Sequence, residues 1–225
     1  MITRKKFVHI SDLHIGYNGN VKFDKDLPPG DVLLITGDVV ASGTLAQWTY
    51  YWAFIRKVAP RYEKIFFVPG NHDYNYLQYK QAPDNYEDVI DKIILWNGFL
   101  IAGFTKQDRD EDGAYYTGKE DMVRGIDALT VGINKVQILM THYPAHYVLD
   151  KSLIQHNGSY HGGIKEYHGL LTKLCPDVHV HGHIHSAYGT FKHGRINTFN
   201  GSQLNDHHRR VHRPHVFFLQ GSIDD

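Results

Sequence analysis

Short apolar runs, most ending in a polar cluster, recur along this chain. Phe7-Val8-His9-Ile10 leads into Ser11-Asp12-Leu13-His14, and Val32–Ile35 into Thr36-Gly37-Asp38. Ile65–Val68 leads into Pro69-Gly70-Asn71-His72-Asp73, Val136–Met140 into Thr141-His142, and Val178–Val180 into His181-Gly182-His183-Ile184-His185. Runs this short and this rich in β-branched residues predict strands buried on both faces. Helical patterns lie between them. Thr44 with Gln47 three residues on makes a capping box for a helix through about Val58. Asp84 and Glu87 open a second helix, with Val89, Ile90, Ile93 and Ile94 at helical spacing and Gly98 past its end. A third spans about Ile164 to Leu174. After His185 the texture changes to short strands at Tyr188–Phe191, Ile196–Phe199 and Val216–Leu219, the first two joined by the turn His193-Gly194. No repeat, low-complexity tract or linker divides the chain, so residues 1–225 are expected to form one domain. Strand–helix–strand order ending in antiparallel strands argues for an α/β (α+β) sandwich of mixed sheets flanked by helices, with its chemistry on the strand-end loops.

Composition changes this picture little, except in one respect. Lys plus Arg and Asp plus Glu each number 24, so bulk charge gives no sign of a nucleic-acid or membrane partner. The single cysteine, Cys175, permits no disulfide within the chain, and no run approaches a membrane span. A soluble, cytoplasmic protein is the expectation. The exception is 17 histidines, because histidine is the commonest metal ligand and general acid or base.

Five histidine- or acid-bearing motifs each follow a predicted strand: Asp12-x-His14, Gly37-Asp38, Gly70-Asn71-His72-Asp73, His142, and Gly182-His183-x-His185. Strands packed side by side bring such ends together. Asp, His and Asn are hard or borderline ligands that suit Mn²⁺, Fe²⁺/Fe³⁺, Zn²⁺ or Co²⁺, and a carboxylate such as Asp38 has two oxygens with which to bridge two cations. Two cations ~3.5–4 Å apart neutralise a phosphate ester, activate a water and stabilise the developing charge. A nearby unligated histidine can protonate the leaving alkoxide.

These motifs resemble those of the calcineurin-like metallophosphoesterase superfamily, from Asp12 to the final strand. Within it the chain is similar to the class III cyclic-nucleotide phosphodiesterases and their metallophosphoesterase-domain relatives, in the stretch Pro29–Asp38, in Thr141-His142, in His181–His185 with Ala187-Tyr188-Gly189, and in Asn200-Gly201-Ser202. The resemblance implies a four-layer α/β/β/α sandwich of mixed β-sheets with a dinuclear metal site at the strand ends. It implies that Asp12, His14 and His185 hold one metal, that Asn71, His142 and His183 hold the other, and that Asp38 bridges them. It leaves His72 unligated, facing substrate as proton donor or charge stabiliser, beside Asn71. The implied activity is a dinuclear metal-dependent phosphoesterase, foremost a phosphodiesterase acting on a small diester such as a cyclic nucleotide. Alternatives are a phosphomonoesterase or nucleotidase, a nuclease or nucleic-acid phosphatase, and a metal-binding scaffold of low activity. The chain departs from the superfamily's protein phosphatases at Gly37–Gly43, which lacks their second acid and arginine and leaves the partner of His72 open. It departs from its closer relatives at His142-Tyr143-Pro144, where they carry a Gly-Pro-Pro run.

The remaining histidines have plainer readings. His179 and His181 alternate with the ligand pair and suit core hydrogen bonding. His146, His156 and His168 suit loop surface, while His161 sits in Tyr160-His161-Gly162-Gly163, a loop that can approach substrate. His207, His208, His212 and His215 interleave with Arg209, Arg210 and Arg213 as a solvated loop or oligomer contact, or as a phosphate-facing patch. Trp48, Tyr50, Tyr51, Trp52 and Phe54 crowd one helix, mainly as core, with a homodimer contact as the lesser reading.

Overall fold

A computed structural model describes residues 3–17, 23–109, 111–153 and 160–221; His156 lies outside the described residues. In chain order the elements are β1 (Thr3–Ile10), β2 (Val32–Thr36), α1 (Leu45–Val58), β3 (Lys64–Val68), β4 (Tyr86–Asp88), β5 (Lys92–Trp96) and β6 (Phe99–Phe104). Then follow α2 (Lys119–Thr130), β7 (Ile138–Thr141), β8 (Lys151–Ser152), β9 (Tyr160–His161), α3 (Tyr167–Leu174), β10 (Val178–His181), β11 (Gly189–His193), β12 (Ile196–Asn200) and β13 (His215–Gly221).

Two mixed sheets carry the fold, one ordered β13-β1-β2-β3-β4 and the other β11-β12-β10-β7-β6-β5. In the first, β1 to β4 run parallel and β13 lies antiparallel on the edge. In the second, β12, β10, β7 and β6 run parallel, with β11 and β5 antiparallel at the two edges. Three buried apolar clusters define four layers. α1 packs Trp48, Tyr51, Trp52, Ile55 and Val58 against Val8, Ile10, Leu33, Ile35, Ile65 and Phe67 of the first sheet. The opposite faces of those strands, Phe7, Val32, Leu34, Phe66 and Val68, meet Phe99, Ile101, Ile138, Met140, Val178 and Val180 of the second sheet. The outer face of that sheet, with Ala102, Phe104 and Leu139, is covered by Met122 and Ile126 of α2 and by Tyr167, Leu170, Leu171 and Leu174 of α3. Central strands are therefore apolar on both faces, as their unbroken runs predict. This is the expected α/β/β/α sandwich. Each fully buried large side chain in it contributes roughly 1.5–3 kcal/mol of transfer free energy.

α1 begins where the sequence places it. Thr44 Oγ1 accepts from Gln47 N at 3.4 Å, and Gln47 Oε1 accepts from Thr44 N at 3.4 Å, which closes the capping box. Most of its aromatics are core; Tyr50 alone among its large aromatics is 53% exposed.

The helix expected to open at Asp84 and to end before Gly98 is wrong: the segment forms β4, β5 and the turn into β6. Asn97 and Gly98, both at positive φ (46° and 79°), make a two-residue turn that pairs Trp96 with Phe99. That is hairpin chemistry, which sequence reasoning took for a helix C-terminus. In β5, Ile94 and Trp96 face the layer between the sheets and Ile93 faces the outer helices, so its period is two. Apolar side chains stand on both faces of β5, Leu95 among them although it is 72% exposed, so the polar alternation that would have marked a strand is missing. α2 was not anticipated, although Met122, Ile126 and Leu129 lie on one face; α3 starts three residues after the expected Ile164.

Candidate metal centre

β1, β2 and β3 are parallel in one sheet, and β7 and β10 are parallel in the other, so their carboxyl ends can present five loops along one rim of the sandwich. Backbone bonds tie these loops together. Asp12 N donates to Gly37 O (3.0 Å), His14 N to Asp38 O (2.9 Å) and Gly182 N to His142 O (3.0 Å). Gly70 and Gly182 are needed for the approach: a Cβ on the first would collide with the Asp38 carboxylate, and on the second with Ser11 and Asp12. Asp12, His14, Asp38 and His183 all take positive φ, at 55°, 41°, 50° and 68°. Non-glycine residues hold that region at a cost of order 1–3 kcal/mol each, and it persists where the surroundings over-determine it.

The seven residues expected as ligands converge here. Asp38 Oδ2 lies 3.6 Å from His14 Nε2 and 3.2 Å from His142 Nε2, between two groups of donors. On one side His14 Nε2 is 3.2 Å from His185 Nε2, which is 3.3 Å from Asp12 Oδ1. On the other, His142 Nε2 is 3.1 Å from Asn71 Oδ1, and the rings of His142 and His183 are 5.2 Å apart. Nitrogen and carboxylate atoms of Asp38, His142 and His183 fall within 4.8 Å of one another. All seven are buried or partly buried.

The hydrogen bonds around the site fix what these atoms can do. His142 Nδ1 donates to Thr36 O (2.8 Å) and His185 Nδ1 to Asn205 O (3.1 Å). In the neutral rings each Nε2 is then a lone pair, and each faces a carboxylate oxygen. Acceptors meet acceptors, an arrangement that requires a positive charge between them. The proton affinities say the same. Burial opposes charge on both rings, yet Asp38 raises His142 to about 10 and Asp12 raises His185 to about 9. Burial would raise Asp38, but His142 and His14 hold it well below the usual carboxylate range. Two ring nitrogens at roughly 2.0–2.1 Å from one ion and at right angles lie about 3 Å apart, so the His14–His185 spacing fits adjacent ligands. The N/O donor set thus fits a pair of divalent cations.

Side chains behind the rim orient it. Ser202, from Asn200-Gly201-Ser202, places its hydroxyl 2.8 Å from Asp12 Oδ2, and His183 N donates to the same oxygen at 3.0 Å. Asp73 accepts from Val39 N, Val40 N and Gly70 N, pinning the second motif to the third. Burial and the Asp38 charge push Asp73 up to about 7, against those three donors. Asp73 is therefore not the partner of His72. That partner is a backbone carbonyl: His72 Nδ1 donates to Ala41 O at 2.8 Å, and His72 N to Asp38 Oδ1 at 2.9 Å.

A cavity of about 300 Å³ opens over the centre, lined by His14, Asp38, Asn71, His72, His183 and His185 and walled by Ser152, Tyr160, Ile184, Asp206 and His208. Asn71 and His72, both expected to face substrate, line it. His161 is outside this lining: its Nδ1 donates to Asp150 Oδ1 at 2.7 Å, and its neighbour Tyr160 lines the wall. Asp206 was missed as a wall residue, because no motif marks the loop after β12; His208, expected foremost as solvated loop or oligomer contact and otherwise as part of a phosphate-facing patch, stands in the wall. His212 and His215 bond backbone carbonyls of Ser202 and Asn200 instead.

Comparison with known proteins agrees with this geometry. The calcineurin-like phosphoesterase family matches residues 5–187. UPF0046 protein T07D4.2 of Caenorhabditis elegans is 24% identical over 93% of this chain, which spans 60% of that protein's length. Human metallophosphoesterase domain-containing protein 1 is 24% identical over 95% of this chain and 71% of its own. The crystal structure of TT1561 of Thermus thermophilus superposes with a TM-score of 0.55 at 15% identity, covering 88% of this chain and 89% of that one. No helix among the described residues is long and apolar enough to cross a membrane. With its fold, its rim of Asp, Asn and His residues and a match over most of its length, the chain belongs to the calcineurin-like phosphoesterase family of metal-dependent phosphate-ester hydrolases.

Proposed function

We propose that residues 1–225 act as one catalytic domain that hydrolyses a small phosphodiester with two bound cations, of which Mn²⁺, Fe²⁺/Fe³⁺ and Zn²⁺ suit the donors. Asp12, His14 and His185 would hold the first cation, Asn71, His142 and His183 the second, and Asp38 both. The observation that carries this reading is Asp38 Oδ2, placed 3.6 and 3.2 Å from imidazole nitrogens of the two groups. Bound cations would supply charge neutralisation of the ester, a lowered pKa for water, and stabilisation of the departing oxygen.

The chain's own groups do the rest. Ala41 O fixes the Nδ1–H of His72, so Nε2 is the atom that gains or loses a proton, and the ring lines the cavity. Protonated there, it can donate to a leaving alkoxide. Asn71 and Asp38 hold the floor. The walls bear on charge: among the described lining residues none is Lys or Arg, and Asp206 contributes a carboxylate. Such a wall is more hospitable to a monoanionic diester than to a dianionic monoester, and it offers no basic track for a nucleic-acid backbone.

The test is hydrolysis of bis-p-nitrophenyl phosphate and p-nitrophenyl phosphate by metal-stripped protein, with and without added Mn²⁺. Turnover restored by Mn²⁺ and faster on the diester is expected. Faster turnover of the monoester contradicts the diester reading, and undiminished turnover after stripping contradicts the role of metal.

A further inference from the structure

The turn after β12 brings one more imidazole to the centre than the five motifs supply. His208 stands with its ring centroid 5.0 Å from that of His14 and 5.5 Å from that of His185. A nitrogen of each of these three rings lies within 4.8 Å of the others. The placement is built into the backbone. Asn205 O accepts from His185 Nδ1 at 3.1 Å and from His208 N at 2.7 Å, so one carbonyl orients an expected ligand and sets the newcomer beside it. Asn205 Oδ1 accepts from His207 N and Arg209 N, both at 3.0 Å, which fixes the turn on either side. His208 itself has φ 54°, a left-handed conformation that a non-glycine residue holds only under constraint. Tyr17 packs against its ring at 4.4 Å and against His14 at 5.6 Å, and the imidazole lines the cavity directly over the first group of donors.

We propose that His208 is a further nitrogen ligand of the first cation, closing that site from the cavity side. This rests on the two-cation reading of the same centre. The two halves then differ in kind. His14, His185 and His208 offer three imidazoles with Asp12 and Asp38, whereas His142 and His183 offer two with Asn71 and Asp38. Imidazole-rich sets favour Zn²⁺, Fe²⁺ or Co²⁺ over Mn²⁺, so the first position would bind more tightly and select a borderline metal.

The experiment titrates the metal-free full chain with Co²⁺, following the visible ligand-field absorption and the heat of binding. His208→Asn is the informative variant, since asparagine tolerates the left-handed backbone and keeps the turn while removing the imidazole. His14→Ala and the exposed His207→Ala are the controls. In His208→Asn the tighter of two binding events should weaken by at least about tenfold and the Co²⁺ band should change in position and intensity, with the weaker event unmoved. His207→Ala should match the unaltered chain. Unchanged affinity and spectrum in His208→Asn, with the first ion lost in His14→Ala, overturns the proposal alone. Unaltered chain that binds no Co²⁺, or His14→Ala that binds both ions normally, overturns the two-cation reading and the proposal with it.

Discussion

His179 and His181 occupy the body of β10, and His183 and His185 follow on the loop at its carboxyl end. Four alternate residues of one type along seven positions do two different things. In the strand body, His179 Nε2 meets Thr141 Oγ1 at 2.9 Å, and on β1 His9 Nε2 meets Thr36 Oγ1 at 2.8 Å. A hydroxyl can donate or accept, so a neutral ring has one partner at Nε2, while its Nδ1 stays buried without one among the described residues. Burial lowers the proton affinity of His9 and His179 well below the ordinary value, and that of His181 to about 4. At the strand ends the partners are carboxylates, and His142 and His185 move the other way against the same burial, to about 10 and 9, while His14, farther from the same carboxylates, is still held down by burial at about 3. The difference lies in what faces the ring. A histidine facing a hydroxyl is polar packing; one whose Nδ1 is committed to a carbonyl and whose Nε2 faces a carboxylate takes a positive charge between them, a proton or a metal ion.

That contrast can be broken at several places. Asp38→Ala removes the shared oxygen, and loss of both cations with ~10³-fold or greater loss of turnover is expected, since such ions stabilise the transition state by several kcal/mol. Elemental analysis alongside kinetics checks it, and full metal occupancy would contradict the bridging role. His72→Ala should lower kcat by ~10²–10⁴-fold while both cations remain, because its ring handles a proton and holds no metal. Undiminished kcat would remove it from the mechanism.

His185→Ala and His179→Ala, six residues apart, sharpen the comparison. The first should lose one cation. The second should keep both and lower stability by about 2–4 kcal/mol, from lost packing and a lost hydrogen bond, as read by chemical denaturation. Metal loss in His179→Ala would erase the distinction. The smallest effect is expected at the wall: Asp206→Asn should raise monoester turnover relative to diester by about fivefold, near 1 kcal/mol for a charge seen through water. No change in that ratio would free the wall of any part in charge selection.

Much of this was legible in the sequence because each motif follows a buried strand, and parallel strands leave their carboxyl ends together. Asp12, Asp38, Asn71, His142 and His185 were expected together because the resemblance to the calcineurin-like metallophosphoesterases assigns each of them, one from each of five strand-end motifs. What was hidden has physical causes. The helix expected from Asp84 to just before Gly98 was misjudged because Ile93, Ile94, Leu95 and Trp96 put apolar side chains on both faces of β5, exposed Leu95 included, which erases the period-two signal, and Asn97-Gly98 serves a hairpin as well as a helix end. The partner of His72 was hidden because it is a main-chain carbonyl, which no residue name announces. His208 was hidden because its place depends on a turn held by Asn205 and on φ 54°, neither of which a spacing reveals.

The central claim is that acceptor atoms converge at the strand ends in order to hold two cations about Asp38. Anomalous diffraction from crystals grown with Mn²⁺ tests it most directly. The account expects two peaks, one between Asp38 and the His14–His185 pair and one between Asp38 and the His142–His183 pair; a strand-end rim with no anomalous peak, in crystals soaked at saturating Mn²⁺, would contradict it.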